Sequence, residues 1–264
     1  YNVLKALVDC YPNESHLRGH LGRFLYEKAT EQLDFENAYD EITQAIELGE
    51  NDYNLWHLKG MSSRRRIEFL IRSDISKLNE DEISELEEFI KELTETANED
   101  FEKSRAINPH NLHSHTAQVQ MLIQVINNGR RFSKSKSQFD FLTNIEYKWY
   151  DNQLSEIMNL IDEAKYIIEL STDLDQSLII EKSKRMIQDC EGKLFRLQGE
   201  YSNSVDKFKQ LANSSDRDLR PYYRRMFIYS TLASKVDNNF KKFPEAWNKL
   251  SPFEFESIIK VILE

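Results

Sequence analysis

The stretch Gly192-Lys-Leu-Phe195-Arg-Leu-Gln-Gly199-Glu-Tyr201-Ser-Asn-Ser204-Val-Asp-Lys-Phe208-Lys-Gln-Leu211 decides the fold class of this chain. Gly192 and the aromatic Phe195 stand one helical turn apart, Gly199 and Tyr201 mark a turn, and Ser204, Phe208 and Leu211 recur at helical spacing. This is the pattern of two helices packed face to face. The small residue at 192 lets the second helix come close, Gly199 ends the first helix, and Phe208 fills the groove between them.

Two more stretches carry the same spacing. Phe35-Glu-Asn-Ala38-Tyr-Asp-Glu-Ile42-Thr-Gln-Ala45-Ile-Glu-Leu48 reads as a second helix, with Leu21, Gly22 and Leu25 in the helix before it and a restart at Trp56 and Gly60. Its interhelix loop is about four residues longer than a 34-residue repeat allows. Ala97-Asn-Glu-Asp-Phe101-Glu-Lys-Ser104-Arg-Ala-Ile107-Asn-Pro109 ends on Asn-Pro, a helix stop. Between Gly60 and Ala97 lies an insertion, 67–95, that lengthens both helices and adds a polar turn near Ser76 to Asp81.

Other segments read as helices by apolar period alone. Leu112 to Asn128 carries Val119, Leu122, Ile123 and Ile126 on one stripe, and Ile145 to Leu170 and Asp175 to Leu197 form two long amphipathic helices joined by Ser171-Thr-Asp, where Ser171 or Thr172 caps the second. Gly129 to Ser137, GRRFSKSKS, reads as a loop or flexible linker. Arg220-Pro-Tyr-Tyr begins a helix that tolerates Pro221 in its first turn, and Ser251-Pro-Phe-Glu254 is a capping box. The expected organisation is an N-terminal array over 1–128, a linker over 129–143, and a C-terminal array over 144–264 with its clearest hairpin at about 175–213.

Composition agrees with an all-α class. Among 264 residues there are only 7 Gly and 5 Pro, too few for the tight turns of a sheet-rich fold. The net charge of -10, from 45 acidic and 35 basic side chains, repels nucleic acid and acidic membranes unless a local patch overrides it. Cys10 and Cys190 lie far apart with no CxxC or zinc spacing, which fits a reducing, cytoplasmic setting. No apolar run reaches the roughly 18 residues of a membrane span. Without an initiating Met, and with the helix-like start Tyr1-Asn-Val-Leu-Lys, the chain reads as a piece of a longer protein.

The spaced residues of the three stretches resemble the tetratricopeptide repeat, which implies an α-solenoid of antiparallel helical hairpins, here irregular and with long inserted helices. A further resemblance rests on His16-Leu-Arg-Gly-His20-Leu-Gly-Arg-Phe24-Leu, on Trp56-His-Leu-Lys-Gly60-Met-Ser-Ser-Arg, and on Pro109-His-Asn-Leu-His-Ser-His with Gln120-Met-Leu-Ile. These segments look like the C-terminal repeat region of large antiviral P-loop ATPases of the signal-transduction type with numerous domains. That resemblance implies a region that senses an invader protein or holds a switch inactive. No ATP-binding residue carries over, because the chain has neither GxxxxGK[ST] nor GxGxxG.

Candidate sites divide into clusters, each with a bland alternative. His16 and His20 share one helix face at a zinc-compatible spacing, but the intervening Leu-Arg-Gly does not make HExxH, and packing or hydrogen bonding is the plainer reading. His110, His113 and His115 straddle a turn without a nearby Cys, so turn polarity suffices there. Arg64 to Arg66, Arg130/Arg131 with Phe132, Lys134 and Lys136, and Arg217/Arg220/Arg224/Arg225 with Tyr222 and Tyr223 could hold phosphates and stack bases, yet salt-bridged helix faces look the same. The acidic helix with Ile83, Leu86, Ile90 and Leu93 is a solvated face on a packed helix or a dock for a basic partner. Phe139, Phe141, Tyr147, Trp149 and Tyr150 form core packing or a partner anchor. No GxSxG or Cys/His pair marks a nucleophile.

These readings converge on a non-catalytic protein-binding module with no cofactor and no metal. Its partner is a foreign or host protein, or the rest of its own chain, and its expected partner-facing residues are His20, Phe24, Trp56, Arg196, Arg224 and Arg225. The alternatives are an intramolecular regulatory or oligomerisation scaffold and, third, an RNA-binding helical repeat.

Overall fold

A computed structural model describes residues 2–49, 51–72, 74–110, 112–133, 138–170, 177–213, 218–236 and 243–263, with side chains at all of these except 138–140, 177–180, 243 and 260–263. Every extended element among the described residues is a helix, and none is a strand. The chain divides into two compact units, Tyr1–Phe132 and Ser133–Glu264.

The first unit contains α1 (Asn2–Cys10), α2 (Ser15–Lys28), α3 (Gln32–Glu47), α4 (Tyr53–Ile71), α5 (Glu80–Ile107) and α6 (Leu112–Phe132). Each start has a local cause. The Asp52 carboxylate accepts the Asn54 backbone N–H at 2.9 Å, and Asn79 and Glu82 satisfy each other's backbone N–H groups in a capping box that opens α5. The insertion takes the expected form, a longer α4 and α5 joined through a short 3-10 turn, Ile75–Lys77. Its apolar stripe turns inward, with Ile90 and Leu93 buried, while Glu85, Glu88 and Glu92 stay exposed. The solvated-face reading of the acidic helix therefore accounts for it.

Close packing in this unit is written by glycines. A Cβ on Gly22 of α2 would stand 2.6 Å from Ile42 Cγ1 and 3.1 Å from the Ile42 backbone nitrogen on α3. Gly19, one turn earlier, faces Ala45, one turn later, so α2 and α3 run antiparallel. Gly60 of α4 lies under the Phe101 ring of α5, where a Cβ would be 3.0 Å away. At the end of the same pair the Ser104 hydroxyl donates to the Tyr53 carbonyl at 2.9 Å. Helix propensity favours Ala over Gly by up to about 1 kcal/mol, whereas overpacking costs about 1–3 kcal/mol. Since the backbone of α3 cannot swing aside as a side chain would, Gly22→Ala should lower stability by about 1 kcal/mol net, read as an earlier urea midpoint.

Alternate helices also touch. α2 packs on α4 and α4 on α6, whereas α3 and α5 share no comparable contact, so α2, α4 and α6 form one layer of this unit. Across α4 and α6, His57 Nδ1 sits 3.0 Å from the Ser114 hydroxyl, and Arg64 donates to the Ala117 carbonyl.

The second unit holds α7 (Gln138–Thr143), α8 (Lys148–Leu170), α9 (Ser177–Leu197), α10 (Tyr201–Ala212), α11 (Arg220–Val236), α12 (Phe243–Trp247) and α13 (Pro252–Leu263). The deciding stretch folds here as read. Gly199 ends α9 at φ 79°, with the Glu200 N–H donating to the Phe195 carbonyl and the Gly199 N–H to the Arg196 carbonyl, the Schellman pattern. A Cβ on Gly192 would meet the Phe208 ring at 2.8 Å, and Phe208 is fully buried with Leu211, Tyr223, Phe227 and Ile258. Ser204 donates to the Gly192 carbonyl at 2.7 Å and shares a hydrogen bond with Ser230 of α11. At the far end Ser251 and Glu254 cap α13 reciprocally, as their spacing predicts.

Two local readings change. Gly129 to Phe132, expected to open the linker, form the last turn of α6, with Gly129 buried; burial overrides the modest helix penalty of one Gly. Residues 145–147 make a 3-10 turn, and α8 begins at Lys148 rather than Ile145. The Ser171 and Thr172 caps, Lys134 and Lys136 lie outside the described residues.

Candidate functional site

The layered packing of the first unit opens a groove between α2 and α4. Because α3 returns the chain, α2 and α4 run the same way, and two concavities lie along their seam. At the N-terminal end a cavity of about 130 Å³ is lined by His16, Gly19, His20, Arg23, Asp52 and Leu55. At the C-terminal end one of about 330 Å³ is lined by residues that include Tyr26, Glu27, Thr30, Arg65, Phe69 and Arg72. From His16 to Glu27 the two concavities cover about 17 Å of α2 at 1.5 Å per residue.

The electrostatics of the groove differ from those of the whole chain. Arg23, Arg65 and Arg72 face it from both helices. Glu68, buried at its floor, is held by Arg64 at 3.2 Å and by Arg65 at 2.6 Å, so its charge is compensated from within. Arg65 has its pKa raised; burial opposes the charge, but the Glu68 carboxylate more than offsets it. Arg23, Arg65 and Arg72 are thus balanced by Glu27, Asp52 and Glu68, so the seam carries both signs of charge in an acidic protein.

On the other side of α4 sits a packed polar cluster. Lys59 forms an ion pair with Asp100 at 3.3 Å, and its ammonium lies 4.8 Å from the Tyr39 ring and 5.1 Å from the Trp56 ring. Lys103 approaches Trp56 to 4.7 Å. Asp100 is 2 % exposed, and burial raises its carboxyl to about 6 despite Lys59 and Lys103. Burial, with His113 and Arg64 nearby, lowers His57 to about 4.

Among the partner-facing residues expected from sequence, His20 lies in the groove and Phe24 is half-buried on the same helix. Trp56 turns instead toward α5, between two lysines. Arg196 is a correction: it is 5 % exposed, its pKa lowered by burial and set among Tyr222, Asp189 and Tyr201, so an external partner does not reach it. The reason is that α9 is covered on that side by α11, whose Tyr222 hydroxyl donates to Asp189 at 3.0 Å. Arg224 is half-buried and Arg225 exposed on α11. His20, Phe24 and Trp56 belong to the first unit and the three arginines to the second.

The remaining clusters resolve toward structure. Arg66 pairs with Glu36 at 3.0 Å, and Arg131 donates to the Ile71 carbonyl, so these two arginines of the basic runs are engaged within the fold; Arg217 lies outside the described residues. Tyr223 is buried, its hydroxyl pushed up to about 12 by burial and Asp189, and offers no stacking face. Phe141 and Tyr150 are core, ring to ring at 4.9 Å; the Phe139 side chain lies outside the described residues. His115 is buried while His110 and His113 are exposed. Among the described residues no group of three or more His, Cys, Asp or Glu gathers as a metal site, and no helix is long and apolar enough to cross a membrane. What sequence reasoning missed are Arg72 and Tyr26, and that Arg65, singled out within the Arg64 to Arg66 run, meets them. Their convergence depends on α2 lying beside α4, which no local signal encodes.

Compared with known proteins, the chain matches no family and no curated sequence.

Proposed function

We propose that this chain is a tetratricopeptide-like helical array that works without catalysis, by gripping a segment of another protein in the α2–α4 groove. The observation that carries the reading is the recurrence, in three helix pairs, of a first-helix glycine seated against the second helix: Gly22 on Ile42, Gly60 on Phe101 and Gly192 on Phe208. Repeated pairs of this kind stack into arrays whose first helices present binding surfaces. The interleaved charges of the seam, Arg23, Arg65 and Arg72 among Glu27, Asp52 and Glu68, favour a polar segment carrying both signs of charge as occupant. Following the resemblance of the His16 to Leu25 and Trp56 to Arg64 segments, the parent would be a large antiviral ATPase and this chain its sensor region.

The test uses the intact chain as bait, in lysate from infected and uninfected source cells, with Arg65→Glu/Arg72→Glu and, as control, Arg225→Glu. A partner held by wild type and control should bind the groove variant about 30-fold more weakly, the loss expected from removing an anchor of about 2 kcal/mol. A partner held equally by all three overturns the groove as its site.

One observation favours the regulatory alternative. On α13 Phe255 and Ile259, four residues apart and so on one face, are 50 and 40 % exposed. An apolar face of this kind fits packing against another part of the parent chain. Recovery of the parent chain alone in the same experiment supports that reading.

A further inference from the structure

The exposed face of α2 holds a second feature that protein binding does not explain. His16 and His20 project side by side from successive turns, and their Nε2 atoms are 3.0 Å apart with the rings nearly perpendicular, at 83°. Both side chains are exposed, and both line the cavity of about 130 Å³ at the N-terminal end of the groove. Asp52 lines the same cavity, its Oδ1 occupied by the Asn54 backbone and side-chain N–H groups.

We propose that His16 and His20 form a two-imidazole chelate for a transition-metal ion of the Ni²⁺ or Cu²⁺ class. Two nitrogens 3.0 Å apart, each about 2.0–2.1 Å from one ion, subtend about 95° at it. That angle suits the square-planar or octahedral geometry of Cu²⁺ and Ni²⁺. A tetrahedral ion would need them spread to about 3.35 Å. Because the two residues sit at i and i+4 on a well-formed helix, the backbone holds the nitrogens in register before the metal arrives, and the second imidazole binds as an intramolecular event. Both rings stand at the surface, where they can take up an ion without disturbing the core. The Asp52 carboxylate offsets part of the ion's charge, while Arg23 across the cavity opposes it, which sets this site below a buried three-ligand centre in affinity. Water or a carboxylate from a bound segment completes the coordination. The site does not depend on the groove being a peptide-binding surface.

The experiment is calorimetric titration of the untagged full chain with Ni²⁺ alone, beside His16→Ala, His20→Ala and a His110→Ala/His113→Ala control. Circular dichroism of each variant verifies the fold, which neither exposed side chain supports. Wild type and control should show the same tight site, and each single variant should lose about 100-fold in affinity as the chelate becomes monodentate. Equal affinity in wild type and in both single variants, or loss in the control as well, overturns the assignment and leaves the pair a hydrogen bond. A second reading comes from the nitrogen hyperfine structure of bound Cu²⁺: two equivalent imidazoles support the chelate, and one imidazole refutes it.

Discussion

Phe208→Ala should destabilise the second unit by about 3–5 kcal/mol, the range for emptying a fully buried aromatic site. Phe208 has no exposed surface, and its ring closes the gap left by the missing side chain of Gly192. The surrounding Leu211, Tyr223, Phe227 and Ile258 belong to different helices and cannot all move inward at once, so the cavity persists. A domain's total stability is about 5–15 kcal/mol, and the loss takes a large share of it. Hydrogen exchange of the intact chain is the measurement. Peptides of α9, α10 and α11 should lose protection while those of α2 to α5 keep theirs; unchanged protection in α9 to α11 would refute the packing argument. A compensating pair, Gly192→Ala with Phe208→Leu, should recover part of the loss, because the added methyl then meets a smaller side chain.

The second large effect is one of pH, and wild type hides it. Asp100 titrates at about 6 in the folded state against an ordinary 3.8, so the folded chain holds that proton more tightly. Its contribution to stability is full below about 3.8 and falls away as pH rises through 6. His57 does the opposite: it titrates at about 4 against 6.5, so its contribution is full above 6.5 and is lost as pH falls through 4. At 1.36 kcal/mol per pK unit each amounts to something on the order of 3 kcal/mol, with opposite slopes in the same window. For these two groups the wild-type profile between pH 4 and 6.5 should therefore be nearly flat. His57→Gln removes one slope, leaving stability that falls with rising pH by on the order of 3 kcal/mol; Asp100→Asn leaves stability that rises by a similar amount. Urea denaturation at several pH values, taken as differences from wild type so that other carboxylates cancel, measures both. Parallel profiles for wild type and the two variants would contradict the placement of these groups in a low-dielectric interior.

Much of this was legible in the residues, for a physical reason that can be named. The helix pairs and the Gly–Phe contact of 192 and 208 follow from 3.6-residue periodicity and from the sterics of a missing Cβ, both of which act over a few turns of chain. Capping at Ser251 and Glu254 is equally local. Gly129 was misleading because a lone Gly beside two Arg has a loop-like local preference, and only the apolar packing of α6 decides against it. Arg196 reads as a charged surface residue until α11 covers it.

The sequence alone determined the all-helical class, the three close helix pairs and the inward face of the acidic helix, since each depends on residues within a turn or two of one another or on one short hairpin. Tertiary structure alone decided which faces remain open: the seam between α2 and α4, the turning of Trp56 toward Lys103, the seclusion of Asp100 and the burial of Arg196. Those outcomes depend on residues tens of positions apart, brought together by the packing of whole helices. The free energy of such contacts comes from burial and desolvation, which a single segment cannot express until its neighbours are in place.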